Sequence, residues 1–214
     1  MSKSLISSPV IKRLPRYYRF LGELERKGVI RISSRELSEM MGFTASQIRQ
    51  DLNCFGGFGQ QGYGYNVKEL HSVISKILGI DAENKAVLIG AGNLGKAIAS
   101  HIDFNKRGFR LIGVFDSNPE KFGKSIAGLT VSGIDTIETF CKANNPVCAI
   151  LCIPKKAAQE IAPKLIELGI KGFWNFSHYD IASNYPGVTV ENVHLNDSLM
   201  TLSYQIMNRE EQAD

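Results

Sequence analysis

Cysteine is scarce: four residues, Cys54, Cys141, Cys148 and Cys152, in a chain of 214. None forms a Cys-x-x-Cys pair or a Cys/His set at zinc spacing, which excludes a disulfide framework and a structural metal as what holds the fold. Cys148 and Cys152 lie inside an apolar run and read as core residues rather than redox centres. Cys54 would lie near a candidate DNA-reading helix and could be oxidised if exposed. Also lacking is any run of about eighteen apolar residues, which excludes a helical membrane span. The opening MSKSLISSPVIKR has no apolar segment followed by a cleavage site, so a cytoplasmic location is expected. No internal repeat and no low-complexity tract is present.

What is there is a chain of 43% hydrophobic and 21% charged residues, enough to bury a core. Its charge is uneven. Residues 1–80 hold twelve Lys/Arg against six Asp/Glu (+6), and residues 81–214 hold thirteen against fifteen (−2), which together make the net +4. A basic front third suits a polyanionic partner, although a moderate excess is also common on solvated surfaces.

That front third reads as three helices. Ser8-Pro9 can start the first, and Tyr17, Phe20, Leu21 and Leu24 follow at spacings of three and four before Gly28. Pro15 implies that this helix either begins near it or bends there. Ser34 can cap a second helix, Arg35 to Met41, burying Leu37, Met40 and Met41 and stopping at Gly42. Thr44 can cap a third, with Gln47 completing a capping box. Helix, tight glycine-containing turn and helix make a helix-turn-helix. Ile48, Leu52 and Phe55 share the inner face of the third helix, leaving Ala45, Ser46, Gln47, Arg49, Gln50 and Asn53 to point outward or along the sides, where short polar side chains with one Arg suit base edges and phosphates. The glycine- and aromatic-rich stretch Gly56 to Asn66 reads as a β-hairpin in the place of a wing. A purely structural helical domain with a glycine-rich linker is the competing reading; the spacing, the wing and the local charge favour DNA. A linking helix, Val67 to Leu78, leads to a boundary near residues 79–84.

Beyond it strands and helices alternate: Lys85–Ile89, Leu94–Phe104, Leu111–Phe115, Ile137–Ala143, Val147–Ile153, Lys155–Leu168 and Gly172–Phe176. This argues for an α/β, Rossmann-like parallel sheet. A last helix, Asn196 to Asn208, carries Leu199, Leu202, Ile206 and Met207 on one face and wants a partner. Three segments are expected: a winged-helix domain over 1–80, a nucleotide domain over 81–194, and a dimerisation helix over 195–214.

Gly90-Ala91-Gly92-Asn93-Leu94-Gly95 follows the first of these strands and opens a helix, as a dinucleotide loop does. Gly90 permits the turn, Gly92 lets pyrophosphate approach the backbone, and Gly95 lets helix pack on strand. The second strand ends at Asp116, twenty-six residues beyond Gly90. A carboxylate there can accept both ribose hydroxyls and would repel a 2′-phosphate, favouring NAD(H) over NADP(H). Alternatively, Asp116 merely caps the turn Ser117 to Glu120. Ile153 and Pro154, after a third strand, face the nicotinamide side. A general acid or base for hydride transfer would come from His71, His101, His178 or His194, with His71 expected at the surface. No further substrate domain is expected, which points to sensing rather than catalysis.

In the order of its motifs the chain resembles the Rex family of redox-sensing transcriptional repressors. The residues carrying the likeness are Arg13-Leu14, Tyr17 to Glu25, Ser33 to Leu37, Thr44 to Arg49 with Asp51-Leu52, and Phe55-Gly56 to Gly64-Tyr65. Gly90 to Gly95, Phe115-Asp116, Pro119-Glu120-Lys121, Gly169 to Gly172 and Asn175-Phe176 continue it. The resemblance implies a non-enzymatic homodimer with exchanged C-terminal helices that binds a palindromic double-stranded DNA operator when NADH is low and releases it when NADH binds in competition with NAD. It places Arg13, Arg16, Ser46, Gln47, Arg49 and Gln50 on DNA, and Arg19, His101, His194 and Leu195 at the switch. Arg19 matches a family arginine whose carboxylate partner position here is His194, with Asp197 as the neighbouring substitute, and His101 stands where some members carry Tyr. Gln50, Gln60 and Gln61 stand where many members have Lys or Arg. A small NAD-dependent oxidoreductase with a helical appendage and His178 as its catalytic histidine, and a CoA- or nucleotide-binding regulator that binds no DNA, are the competing functions.

Overall fold

The computed structural model describes residues 6–56, 59–60 and 63–210. The chain divides into two compact units, Met1–Ala82 and Glu83–Asp214.

The first unit is built on the helices α1 (Ser8–Arg26), α2 (Ser34–Met41), α3 (Ala45–Asn53) and α4 (Val67–Leu78), with the short strands β1 (Arg31–Ile32), β2 (Gly59–Gln60) and β3 (Gly64–Asn66) in the order β1-β3-β2. Leu14, Tyr17 and Leu21 of α1 close over Leu37, Met41, Ile48, Leu52, Leu70 and Ile74. Pro15 lies inside α1 without ending it. It sits on the exposed side, where water can satisfy the carbonyl that its missing N–H leaves unpaired.

The cap of α2 shifts by one position. Ser33, not Ser34, caps α2, because Ser33 and Glu36 form the reciprocal pair in which each side chain takes the other's backbone N–H. Thr44 accepts the Gln47 N–H, but the Gln47 side chain does not return to Thr44; it turns to Asp51 instead. Met40, expected in the core, is exposed. The hairpin runs antiparallel from β2 to β3, with β1 on the other side of β3. Gly64 has φ +68° and its α-carbon faces the Ile32 carbonyl so closely that a β-carbon would lie 2.6 Å from that oxygen. Only glycine allows both the conformation and the approach. The expected wing tip around Gln61, and the side chain of Gln60, lie outside the described residues.

The second unit carries β4 (Asn84–Ile89), α5 (Asn93–His101), β5 (Phe109–Asp116), β6 (Ser125–Ile126), β7 (Leu129–Gly133), α6 (Ile137–Asn144), β8 (Cys148–Leu151), α7 (Lys155–Glu167), β9 (Gly172–Asn175), α8 (Ile181–Asn184), β10 (Thr189–Asn192) and α9 (Leu195–Glu210). Among the described residues the strands form one sheet in the order β10-β9-β8-β4-β5-β7-β6, parallel except for β6 against β7. Its central strands are buried on both faces. Val87, Ile89, Ala149 and Leu151 pack with Ile137, Ala158, Ala162 and Leu165 of α6 and α7. Their neighbours Ala86, Leu88, Cys148 and Ile150 pack with Ile98, Ala99 and Phe104 on the other face. β6, β7 and β10 were not expected from sequence. No helix among the described residues is long and apolar enough to cross a membrane.

Candidate functional site

At the C-terminal ends of β4, β5 and β8 the glycine loop meets a carboxylate. The Gly90 N–H donates to the Phe115 carbonyl at 2.7 Å, binding the loop to the strand that delivers Asp116. Gly90 has φ +104°, and a β-carbon there would overlap the Cys152 carbonyl oxygen. A β-carbon at Gly95 would overlap the Gly90 carbonyl, so α5 lies directly on the turn. Gly92 is different. Nothing lies within 4 Å of where its β-carbon would be. It is the N-cap of α5 with extended backbone, so it exposes the first N–H groups of the helix, through Asn93 and Leu94, to an anion.

Asp116 is buried and takes three donors: the Ala91 N–H at 2.6 Å and the Lys121 ammonium at 2.9 Å on Oδ2, and the Asn118 N–H at 2.8 Å on Oδ1. Burial pushes its pKa up, but the Asn118 N–H, Lys121 and the Ala91 N–H outweigh that and hold it below the ordinary carboxylate value. The group is therefore an anion that both caps the turn after β5 and clamps the glycine loop. An ionised carboxylate has about four acceptor positions, so with three taken one remains for a hydroxyl. Ile153 and Pro154 follow β8, with the Ile153 side chain against Gly90 and Pro154 as N-cap of α7. Burial pushes the neighbouring Cys152 thiol up to about 12, and Cys148 up to about 11, so neither is a ready thiolate. An apolar cavity of about 670 Å³, lined by Phe104, Phe109, Cys148 and Trp174 among others, lies at the opposite ends of the strands. It is not the nucleotide site, because ligands of open α/β sheets bind outside the carboxyl ends of the strands.

His101 is the exposed last residue of α5. His194 immediately precedes α9, and its Nδ1 lies 2.8 Å from Nδ1 of His178. The ring planes are 18° apart, and so short a nitrogen separation means the rings meet edge to edge rather than face to face. Beside them the fully buried Asn175 donates to the Tyr179 carbonyl and to Asn192 Oδ1, and accepts from Ser177. This ties the loop after β9 to β10. Leu195, Leu199, Met200, Leu202, Tyr204, Ile206 and Met207 of α9 are all exposed.

In the first unit, Ser46, Arg49 and Gln50 are exposed on α3, and Arg49 reaches the Ser34 hydroxyl at 3.2 Å. Arg16 stacks over Phe43 at 4.8 Å and Arg19 lies over Phe20 at 5.6 Å. Two residues expected at DNA also bond to a buried carboxylate. Arg13 donates from Nε and Nη2 to the two oxygens of Asp51, each at 2.7 Å, and Gln47 Nε2 donates to the same carboxylate at 2.9 Å. The Tyr17 hydroxyl donates to it at 3.0 Å. The reason is desolvation: Asp51 is 1% exposed, and a buried carboxylate demands cations and donors. Burial raises the pKa of Asp51, while the bonds from Arg13, Gln47 and Tyr17 outweigh it and hold the group below the ordinary value.

Asp51 and Lys121 were not among the candidates. Asp51 carried a readable signal: it falls between Ile48 and Leu52 on the apolar face of α3, where a charge needs a partner. His71, expected at the surface, is instead half-buried, with Nδ1 2.7 Å from Glu25 and its ring stacked on Tyr18 at 4.4 Å.

Two protein-family models match the chain: "Putative DNA-binding protein N-terminus" over residues 5–53 and "CoA binding domain" over residues 81–179. The redox-sensing transcriptional repressor Rex of Thermoanaerobacter sp. (strain X514) is 56% identical over 98% of this chain and 92% of its own length. That of Clostridioides difficile (strain 630) is 56% identical over 93% of this chain and 94% of its own. Among solved structures, RSP in complex with β-NADH aligns with a TM-score of 0.89 at 50% identity, covering 98% of each chain. RSP in complex with β-NAD+ and operator DNA aligns at 0.88 and 52% identity, over 98% of this chain and 96% of the other.

Proposed function

The chain belongs to the Rex family of redox-sensing transcriptional repressors, and from that premise we propose that it represses transcription by binding an operator when NADH is scarce and releases it when NADH binds. The observation that carries this reading is the 52% identical relative captured with both NAD+ and operator DNA. The α2–α3 pair with its hairpin supplies the DNA-reading unit. Gly90 to Gly95, with the open face of Gly92, cradles the pyrophosphate, and Asp116 takes an adenosine ribose hydroxyl while disfavouring a 2′-phosphate. Arg16, Ser46, Arg49 and Gln50 face DNA.

The protein acts as a homodimer, because α9 exposes an apolar face that a second copy can cover, and a twofold assembly matches a palindromic operator. It is a cytoplasmic regulator and not an enzyme, as its relatives at 56% identity are named transcriptional repressors. Switching requires that NADH prefer the state unable to bind DNA, and DNA then weakens NADH by the same factor. A coupling of about 1 to 3 kcal/mol, or roughly 5- to 150-fold, is typical of such switches. Arg19, His101, His194, Leu195 and Asp197 are the candidates for conveying it.

The test is a titration of NADH, NAD and NADPH, separately, into the protein bound to a fluorescent DNA selected from a random pool. Release by NADH at concentrations where NAD and NADPH do little is the expected result. Failure to select any DNA would favour the dehydrogenase reading.

A further inference from the structure

Asp51 sits on the core face of α3, and among its donors is Gln47, one turn earlier at the flank between that face and the one that would meet DNA. Its Oδ2 accepts from Arg13 Nε and the Tyr17 hydroxyl, and its Oδ1 accepts from Arg13 Nη2 and Gln47 Nε2. Those four donors fill the acceptor positions a carboxylate has. The constraint on Gln47 is chemical as well as geometric. A carboxylate can only accept, so the amide nitrogen of Gln47, and never its oxygen, faces Asp51. What this bond leaves available to a base is Oε1 and the second N–H of the amide.

Resting on the DNA-binding reading above, we propose that Asp51 is a positioning residue for sequence recognition: it locks the Gln47 amide in the orientation that pairs with adenine and withholds Arg13 from the phosphates. Adenine presents the N6 donor and the N7 acceptor in the major groove, the complement of an outward Oε1 and N–H, whereas guanine presents two acceptors, one of which would face Oε1. Arg13, doubly bonded to a buried carboxylate, adds nothing to sequence-independent attraction while that pair holds.

The experiment selects an operator from a random DNA pool with the full chain, then compares wild type, Gln47→Ala and Asp51→Asn on that operator, on its single-base variants and on scrambled duplex across a salt series. Gln47→Ala is expected to lose an adenine preference of roughly 10-fold at one position of each half-site, the discrimination a two-bond base contact carries. Asp51→Asn is expected to lose the preference at that same position while scrambled DNA binds no more weakly, and its salt slope is expected to steepen by about one unit as Arg13 is freed. Should Asp51→Asn fail to fold, Asp51→Glu decides: it keeps the charge pair with Arg13 but displaces the acceptor by one methylene, and is expected to lower the same preference. A folded Asp51 variant that keeps the adenine preference would overturn the proposal, as would operator and scrambled DNA weakening together. If the wild-type chain selects no operator, the DNA-binding reading itself falls.

Discussion

Among the described residues the two units of the molecule each bury one carboxylate, and the two carboxylates are used differently. Asp51 is 1% exposed and Asp116 6%, and hydrogen bonds hold both below the ordinary pKa against the opposing effect of burial. Asp51 is saturated by three side chains from its own unit, two of them on α1. Asp116 is held by two backbone N–H groups and one flexible lysine, and keeps room for a further donor beside an open glycine loop. Burial and charge alone therefore do not mark a ligand site. The number of acceptor positions left, and whether the donors are fixed or mobile, separates a structural hub from a site prepared for a ligand.

The sharpest way to break the comparison is to remove the hub's cation. Arg13→Ala leaves Asp51 buried without its charge partner, and is expected to destabilise the first unit by about 3 to 5 kcal/mol. Denaturant unfolding followed by far-ultraviolet circular dichroism measures this, and a loss within about 0.5 kcal/mol, as at an ordinary surface site, would show that the pair contributes little. Asp116→Ala is expected to weaken NADH binding by about 1.5 to 3 kcal/mol, the range for a hydrogen bond to a charged group, and to narrow the preference for NADH over NADPH. Fluorescence titration of both cofactors reads this out, and an unchanged ratio would remove Asp116 from ribose recognition.

Acid should act on both sites together. Each carboxylate has its pKa depressed by folding, so its contribution is fully present above the unfolded value near 4 and is lost as pH falls through the lower folded value. Unfolding free energies are thus expected to drop below about pH 4, and an Asp51→Asn, Asp116→Asn protein should show a shallower drop. Equal acid sensitivity in the two proteins would assign the effect elsewhere. The smallest expected change in stability is at Gly92. Since an added β-carbon meets nothing within 4 Å, Gly92→Ala should alter stability by less than about 0.5 kcal/mol while obstructing pyrophosphate. Calorimetry paired with NADH titration tests both halves, and normal NADH binding would place the dinucleotide elsewhere.

Much of this architecture is legible in the sequence. Three-and-four spacing marked α1 through Tyr17, Leu21 and Leu24, and the apolar runs at Val87–Ile89 and Ala149–Leu151 marked the central strands. The strands that the sequence does not announce, β6, β7 and β10, are short and bury few side chains, so neither alternation nor a continuous apolar run marks them. Ser33 rather than Ser34 caps α2, and Thr44 caps α3 as expected but without the reciprocal bond from Gln47, because two adjacent serines, and a glutamine with a carboxylate one turn on, each admit more than one pairing. Capping is decided by which side chain has a better partner elsewhere. For Gln47 that partner was Asp51.

The linear order of residues determined the local conformations and the chemical kinds at hand: a basic helical front, a strand–glycine loop–helix, and a carboxylate one strand later. These depend on spacing along the chain and on each residue's own propensities, so they can be read without a fold. Only the tertiary structure decided which charges are free. Arg13 and Asp51 are thirty-eight residues apart, as no helical or strand periodicity would relate them, and the packing of α1 against α3 turned a candidate DNA contact into the partner of a buried anion. Desolvation in the assembled core, which no local pattern encodes, made that assignment.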